Sequence, residues 1–408
     1  MLKRISVEQL RLGMHVHELC GSWMDHPFWR SAFLLNAPKD LHTILSTGIK
    51  EVWIDTAKGL DVEGGVAEES VTQKVDTKLA QADKANFKTL HIDTAQEAAR
   101  AVMICSKSKQ AVASMFQETR MGKALDAEVA LPIVEEISSS VLRNPGALIG
   151  LARLKSKDDY TYMHSVAVCA LMVSLARQLG LEDSQIRDAG MAGLLHDIGK
   201  MMIPQLILNK PGKLTDVEFE VVKSHPIEGH KLLLEGNGIC DAALDVCLHH
   251  HEKIDGSGYP DKLGNEQISL YAKMGAVCDV YDAITSNRPY KHGWEPAESI
   301  RKMAEWTGHF DPLVFQAFVK SIGIYPVGTL VKLESNRLGV IVEQTEKSLL
   351  TPKVKVFFSI KSNARMVPEI LDLSKPACKD KIVSHEDPAK WDIPDIHELW
   401  SGQSGTSW

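Results

Sequence analysis

Gly193-Leu194-Leu195-His196-Asp197-Ile198-Gly199-Lys200 decides how the rest of this chain folds and what it can do. An imidazole and a carboxylate stand side by side behind an apolar run. Lys200 follows His196 by four positions, which puts both near one face if a helix continues. Neutral imidazole and carboxylate are donors that divalent cations accept, and the carboxylate can bridge two ions, which a second imidazole could not. Alone, such a dipeptide is as readily a satisfied polar pair. The remaining ligands have to come from elsewhere in the chain.

They come from a region that reads as helical from Leu148 to about Gly323. Ser165 to Leu179 carries Val166, Val168, Cys169, Leu171, Met172, Leu175 and Leu179, apolar nearly all round, as a helix at the centre of a bundle is. His164 lies four positions before Val168 and seven before Leu171, so it points inward with them. A single inward histidine is more often a hydrogen-bonded core residue than a ligand. Here it is followed by His196-Asp197, His225, the triplet His249-His250-His251 and Asp279. Such a set suffices for two ions of the Fe or Mn type with positions left for water and substrate. A structural zinc site would need about four ligands and usually cysteine. The seven cysteines, Cys20, Cys105, Cys169, Cys240, Cys247, Cys278 and Cys378, are scattered and never spaced Cys-x-x-Cys, which predicts neither a zinc ribbon nor a disulfide framework. The excess of ligands points to catalysis. Just beyond the triplet, Gly256 and Gly258 let backbone approach a ligand closely, and Pro260 holds Tyr259 extended. A tyrosine there can stack on a base or hydrogen-bond a phosphate.

At 408 residues the chain predicts two or three domains, and 44% hydrophobic with 24% charged residues is a globular composition. A net charge of -7 excludes a wholesale binder of nucleic-acid polymer, but leaves room for a small phosphate ester held by cations. No apolar run approaches the roughly 18 residues of a membrane span, and a cytoplasmic location is expected. Residues 1–62 read as a small α+β domain, with β-like pieces at Met14–His17 and Val52–Ile54 and an aromatic cluster of Trp23, Phe28 and Trp29. His15 and His17 share a strand face but have no third ligand nearby, so they read as solvated. Residues 63–92, acidic and polar, predict a linker. Residues 93–147 predict two connecting helices, one opened by a capping box at Thr94-Ala95-Gln96-Glu97 and running toward Met121, the other from Ala127 to Arg143. After the catalytic segment 148–325, residues 326–375 alternate as strands do, with Ser335-Asn336-Arg337 as a hairpin turn. The tail 376–408 is Pro- and Asp-rich, and its end, Gly402-Gln403-Ser404-Gly405-Thr406-Ser407-Trp408, is expected to fray. The fold class is mainly α: a helical catalytic bundle, a small α+β N-terminal domain and a short β-rich C-terminal appendage.

His196-Asp197-x-x-Lys200 followed by His250-His251-Glu252-x-x-Asp255-Gly256-x-Gly258-Tyr259-Pro260 resembles the HD-GYP family of bacterial cyclic di-GMP phosphodiesterases, a branch of the HD phosphohydrolases. The match covers about residues 150–325. It implies an HD-type all-helical bundle that hydrolyses cyclic di-GMP to linear pGpG, and on to GMP, in second-messenger signalling. It also implies two divalent ions, Fe or Mn, held by His164, His196, Asp197, His225, His250, His251 and Asp279, with Asp197 as the bridge. The family's phosphate-contacting lysine falls on Lys200, so Asp197 and Lys200 are the expected catalytic pair. Expected substrate contacts are Lys200, Gly258, Tyr259, Asp282, Arg288 and Lys291. His249 falls outside the pattern and reads as a residue of the helix behind the ligands. Members holding three metals carry a glutamate four residues before the first ligand histidine. Here that position is Tyr160, so a third ion is not expected. The N-terminal segment resembles the uncharacterised domain that often precedes this one, where a homodimer or signalling-protein contact would fall. Two other readings stay open: a catalytically silent cyclic-dinucleotide receptor, and an HD hydrolase of another phosphate ester such as cyclic GMP-AMP.

Overall fold

The computed structural model describes residues 1–21, 32–82, 92–154, 160–210, 212, 214–286, 293–345 and 348–403. They divide into two units, one formed by Met1–Gln81 with Arg301–His309, the other by Ala82–Ile300 with Phe310–Trp408. Trp23, Phe28 and Trp29 lie outside the described residues.

The first unit is built on a five-stranded sheet of order β3-β2-β4-β1-β5. Its strands are Leu2–Ser6 (β1), His15–Leu19 (β2), Phe33–Leu34 (β3), Glu51–Asp55 (β4) and Val66–Ala67 (β5). β1 runs antiparallel to β4 from Leu2 opposite Asp55 to Ser6 opposite Glu51. Met14, Val16, Leu35, Ile44, Val52 and Ile54 form its solvent-free core, to which helix α1 (Pro38–Leu45) contributes Ile44. His15 and His17 are half-buried on β2, and no metal-type cluster among the described residues includes them. The expected linker contains a helix, α2 (Glu68–Ala82). Val71, Val75 and Leu79, spaced by four, are buried, while the acidic residues that gave the stretch its polar composition take the other faces. Asp76 pairs with Arg301 at 2.8 Å, and Lys78 donates to the Ala304 carbonyl at 3.0 Å.

The second unit is a helical bundle followed by a sheet. Helix α3 (Thr94–Arg120) starts as expected, but its cap is Asp93, which accepts from the Ala95 and Gln96 amides. Glu97, expected to close a capping box, is instead fully buried and accepts from Arg143 Nε and Nη2 and from Ser140 Oγ, each at 2.8 Å. A carboxylate with a bidentate guanidinium partner on the next helix gains more than one reaching back to a solvated amide. Those partners lie on α4 (Ala127–Arg143), so Glu97 ties the two connecting helices together. Glu97→Ala should therefore leave the Arg143 charge half-buried and unpaired and lower stability by about 3 kcal/mol. A denaturant melt checks this; a midpoint unchanged from the wild type would show that the pair contributes nothing.

Asn144 ends α4 and caps α5 (Pro145–Ala152), so Pro145, which reads as a stop, is also the first residue of a new helix. The bundle centre is α6 (Tyr160–Gln178), buried almost without interruption from Met163 to Ala176. α7 (Asp183–Leu195) lies close against it: a Cβ on Gly193 would stand 2.9 Å from the Cys169 Cα. There follow α8 (Gln205–Leu208), α9 (Asp216–Lys223), α10 (His225–Leu234), α11 (Asp241–His249), α12 (Leu270–Thr285), α13 (Pro296–Glu305) and α14 (Pro312–Ile322).

Strands Leu330–Leu333 (β6), Arg337–Glu343 (β7), Lys353–Ser359 (β8), Ala364–Asp372 (β9) and Ile382–His385 (β10) form an antiparallel sheet of order β10-β6-β7-β8-β9. Ahead of the end expected to fray, the tail is held against the rest of the unit. β10 pairs with β6, and helix α15 (Ile396–Ser401) buries Trp400 against Gly150. Ile393, Ile396 and Trp400, at helical spacing, supply an apolar stripe inside a mostly polar stretch. No helix among the described residues is long and apolar enough to cross a membrane.

Candidate metal centre

Five helices and the turns after them deliver the expected side chains to one place. His164 comes from the first turns of α6, His196 and Asp197 from the end of α7, and Lys200 from the 3-10 turn Ile198–Met202. His225 opens α10, His250 and His251 follow α11, and Asp279 and Asp282 lie on α12. Local geometry makes the convergence possible. Gly199 sits so close to α10 that a Cβ there would fall inside the van der Waals shell of the His225 carbonyl and 2.8 Å from the Gly229 Cα.

Three overlapping groups have ligand atoms within 4.8 Å of one another: His225, His250 and His251; His164, His196 and Asp279; and His196, Asp197 and His250. The hydrogen bonds on the far side of each ring fix which nitrogen faces inward. Nδ1 of His196 lies 2.8 Å from the Gly193 carbonyl, that of His225 2.8 Å from Val222 and that of His250 2.9 Å from Val246. A carbonyl only accepts, so each Nδ1 carries a proton, and in the neutral ring each Nε2 is left to take up a proton or a cation. His164 Nδ1 is held in the same way by the Asp282 carboxylate at 2.6 Å. Inside the ring of donors, Nε2 of His196 lies 3.2 Å from that of His164, and Nε2 of His225 lies 3.3 Å from that of His250. Lone pairs facing each other at these distances repel unless a cation or proton stands between them. Asp197 Oδ1 is buried there with no hydrogen-bond partner. Buried orphan acceptors are costly, and a cation removes both costs. The donor set fits divalent ions.

The HD domain model matches residues 143–314, and a model of a domain of unknown function (DUF3391) matches residues 2–130. The cyclic di-GMP phosphodiesterase PA4108 of Pseudomonas aeruginosa is 56% identical over 403 residues, 98% of this chain and 96% of that one. This chain belongs to the HD-GYP family of cyclic di-GMP phosphodiesterases. The cyclic di-GMP phosphodiesterase response regulator RpfG of Xanthomonas campestris is 43% identical over 148 residues, 36% of this chain and 39% of the relative. The 3'3'-cGAMP-specific phosphodiesterase 1 of Vibrio cholerae is 33% identical over 193 residues, 46% of this chain and 42% of the relative.

The electrostatics of this HD-GYP centre are those of a cation trap. Burial works against charge on His196, yet Asp197 and Asp279 raise its pKa to about 10; His164 also moves up, against its burial, under Asp197, Asp279 and Asp282. Burial and then the neighbouring His196 and His225 push His250 down to about 3, and burial with His250 pushes His251 well below the usual imidazole range. Asp197 and Asp279 stay well below the carboxylate range despite burial, the first because of Lys200 and His196, the second because of His164 and His196. Two buried carboxylates that remain ionised draw positive charge to the rings around them, as protons on His164 and His196 or as cations in their place.

The HD-GYP loop lies beside these rings. Tyr259 stacks on His251, with centroids 4.7 Å apart and planes 26° apart. A Cβ on Gly258 would stand 2.5 Å from the Lys253 nitrogen, so only glycine fits. Glu252, quoted in the motif but given no role by the sequence, is buried and accepts the Asp261 amide at 2.7 Å and the Leu263 amide at 3.0 Å, anchoring the loop that carries Tyr259. Its place directly after the His250-His251 pair was the available signal. His249 points away from the centre, to Asp245 at 2.7 Å and Asp261 at 3.2 Å. Lys200 pairs with Asp197 and remains partly exposed. Tyr160 stacks on His164, with centroids 5.6 Å apart and planes 10° apart. Arg288 and Lys291 lie outside the described residues.

Proposed function

We propose that the protein is a metal-dependent phosphodiesterase that hydrolyses cyclic di-GMP to pGpG, and on to GMP, in the cytoplasm of a bacterium. The convergence of four inward Nε2 atoms on the Asp197 carboxylate, His225 and His250 toward the orphaned Oδ1 and His164 and His196 toward Oδ2, carries this reading. His164, His196, Asp197, His225, His250, His251 and Asp279 would hold two divalent ions, Fe or Mn, to which Asp197 offers both carboxylate oxygens. The stacked Tyr160 ring, in place of a carboxylate, supports two ions rather than three. Bound there, such ions supply Lewis acidity toward a phosphoryl oxygen and acidify water.

The chain's own residues do the rest. Lys200, already charge-paired at the centre's edge, meets the charge that develops on the phosphoryl oxygens. Asp282 holds the tautomer of His164, and Tyr259 gives a substrate base a ring to stack on. Arg288 and Lys291 complete the substrate contacts we assign, with Gly258 allowing close backbone approach. Residues 148–325 form the catalytic segment, and the N-terminal region is where a second copy or a signalling partner would dock.

Protein prepared anaerobically and loaded with Mn or Fe should hold about two ions per chain and turn over cyclic di-GMP, with pGpG and GMP separated by chromatography. Binding without turnover would favour a silent receptor; neither binding nor turnover would overturn the assignment. Glu252→Ala, which loosens the Tyr259 loop while leaving the ligands in place, should lower kcat/KM about tenfold at unchanged metal content, the value of one or two buried hydrogen bonds. Steady-state kinetics with elemental analysis reads both.

A further inference from the structure

Helix α9 has no fully buried residue, and its Val217 is 76% exposed. Lys223, one turn from Phe219 on the same face, nevertheless reaches toward the Tyr259 loop. The Lys223 ammonium lies 5.2 Å from the Phe219 ring centroid and 5.9 Å from that of Tyr259, so one cation spans two rings. Its carboxylate contact is Glu220 at 2.5 Å, whose side chain is 70% exposed. A solvated pair of this kind holds with little energy and releases the ammonium readily. Tyr259 is backed by His251, so this cation and these rings stand beside the proposed ion centre.

We propose that Phe219, Lys223 and Tyr259 form the seat of one guanine of the substrate, and that Lys223 reads that base's edge. The inference rests on the cyclic di-GMP reading above. Aromatic stacking accepts any base, so the two rings by themselves do not separate guanine from adenine. An ammonium does. The major-groove edge of guanine offers two acceptors, N7 and O6, whereas adenine replaces O6 with an amino donor that repels a cation. Lys200 is committed to Asp197 at the centre, so it does not serve this purpose. Lys223 thereby sets preference among cyclic dinucleotides, a property on which relatives of this chain differ by name.

The test compares the wild type with Lys223→Met, which keeps the aliphatic stem, and with Lys223→Arg, which keeps the charge. The readouts are kcat and KM for cyclic di-GMP, the inhibition constant of cyclic di-AMP against that reaction, and metal content. Lys223→Met is expected to raise KM for cyclic di-GMP about tenfold while the cyclic di-AMP constant changes less than twofold, and Lys223→Arg is expected to restore the preference. Equal weakening of both dinucleotides would mean that Lys223 meets a phosphate, and no change would mean that it meets neither; each overturns the proposal. A wild type that hydrolyses bis(4-nitrophenyl) phosphate but no cyclic dinucleotide would overturn the substrate reading itself, and this inference with it.

Discussion

Asp197→Asn is expected to lower cyclic di-GMP turnover about a thousandfold and to remove about one ion per chain. Asparagine has the shape of aspartate, so packing in this buried position changes little. The amide loses the charge, however, and one of its two ends becomes a donor. An amide cannot bridge two cations, and its NH2 group would face either Nε2 of His225, 3.3 Å from Oδ1, or Nε2 of His164, 3.4 Å from Oδ2. Lys200 would lose its counter-charge at the same time. Elemental analysis and steady-state kinetics check this; a variant holding two ions and working within tenfold of the wild type would remove Asp197 from the role of bridge.

Gly199→Ala is expected to cost about a hundredfold in turnover and in metal affinity, although Gly199 touches neither substrate nor ion. Its added methyl would overlap the His225 carbonyl and press on Gly229, both on α10. Backbone cannot step aside as a flexible side chain can, so the start of α10 must retreat and take His225 with it. A displacement near 1 Å in a reacting geometry is worth about two orders of magnitude. The control is Gly48→Ala, where the methyl meets nothing within 4 Å and activity should remain at the wild-type level. If both alanine variants behave alike, close packing of Gly199 does not position the centre.

Much of the site was legible in the chain because the chemistry of metal binding demands particular residue types, and histidine outside such roles is seldom gathered so densely. His164 read as inward because its neighbours at four and seven positions are apolar, and α6 does bury that face. Glu97 was misread because a capping box is a local rule, whereas the partners that claim this carboxylate, Ser140 and Arg143, lie more than forty residues away. Helices α2 and α15 were read as a linker and as part of a Pro- and Asp-rich tail because polar residues dominate their composition, and only three or so apolar positions in each region carry the buried face.

What the sequence by itself determined is the inventory and the periodicity: which ligands exist, that a helical bundle carries them, and that a glycine-rich loop follows the histidine triplet. What only the tertiary structure decided is the pairing between distant elements. Glu252 holding the amides of Asp261 and Leu263, Asp282 fixing the tautomer of His164, and Lys223 over Tyr259 depend on where loops and helices come to rest. The reason is physical: hydrophobic periodicity acts within an element and is written along it, while a hydrogen bond or a stacked cation joins elements whose separation in sequence carries no information about their distance in space.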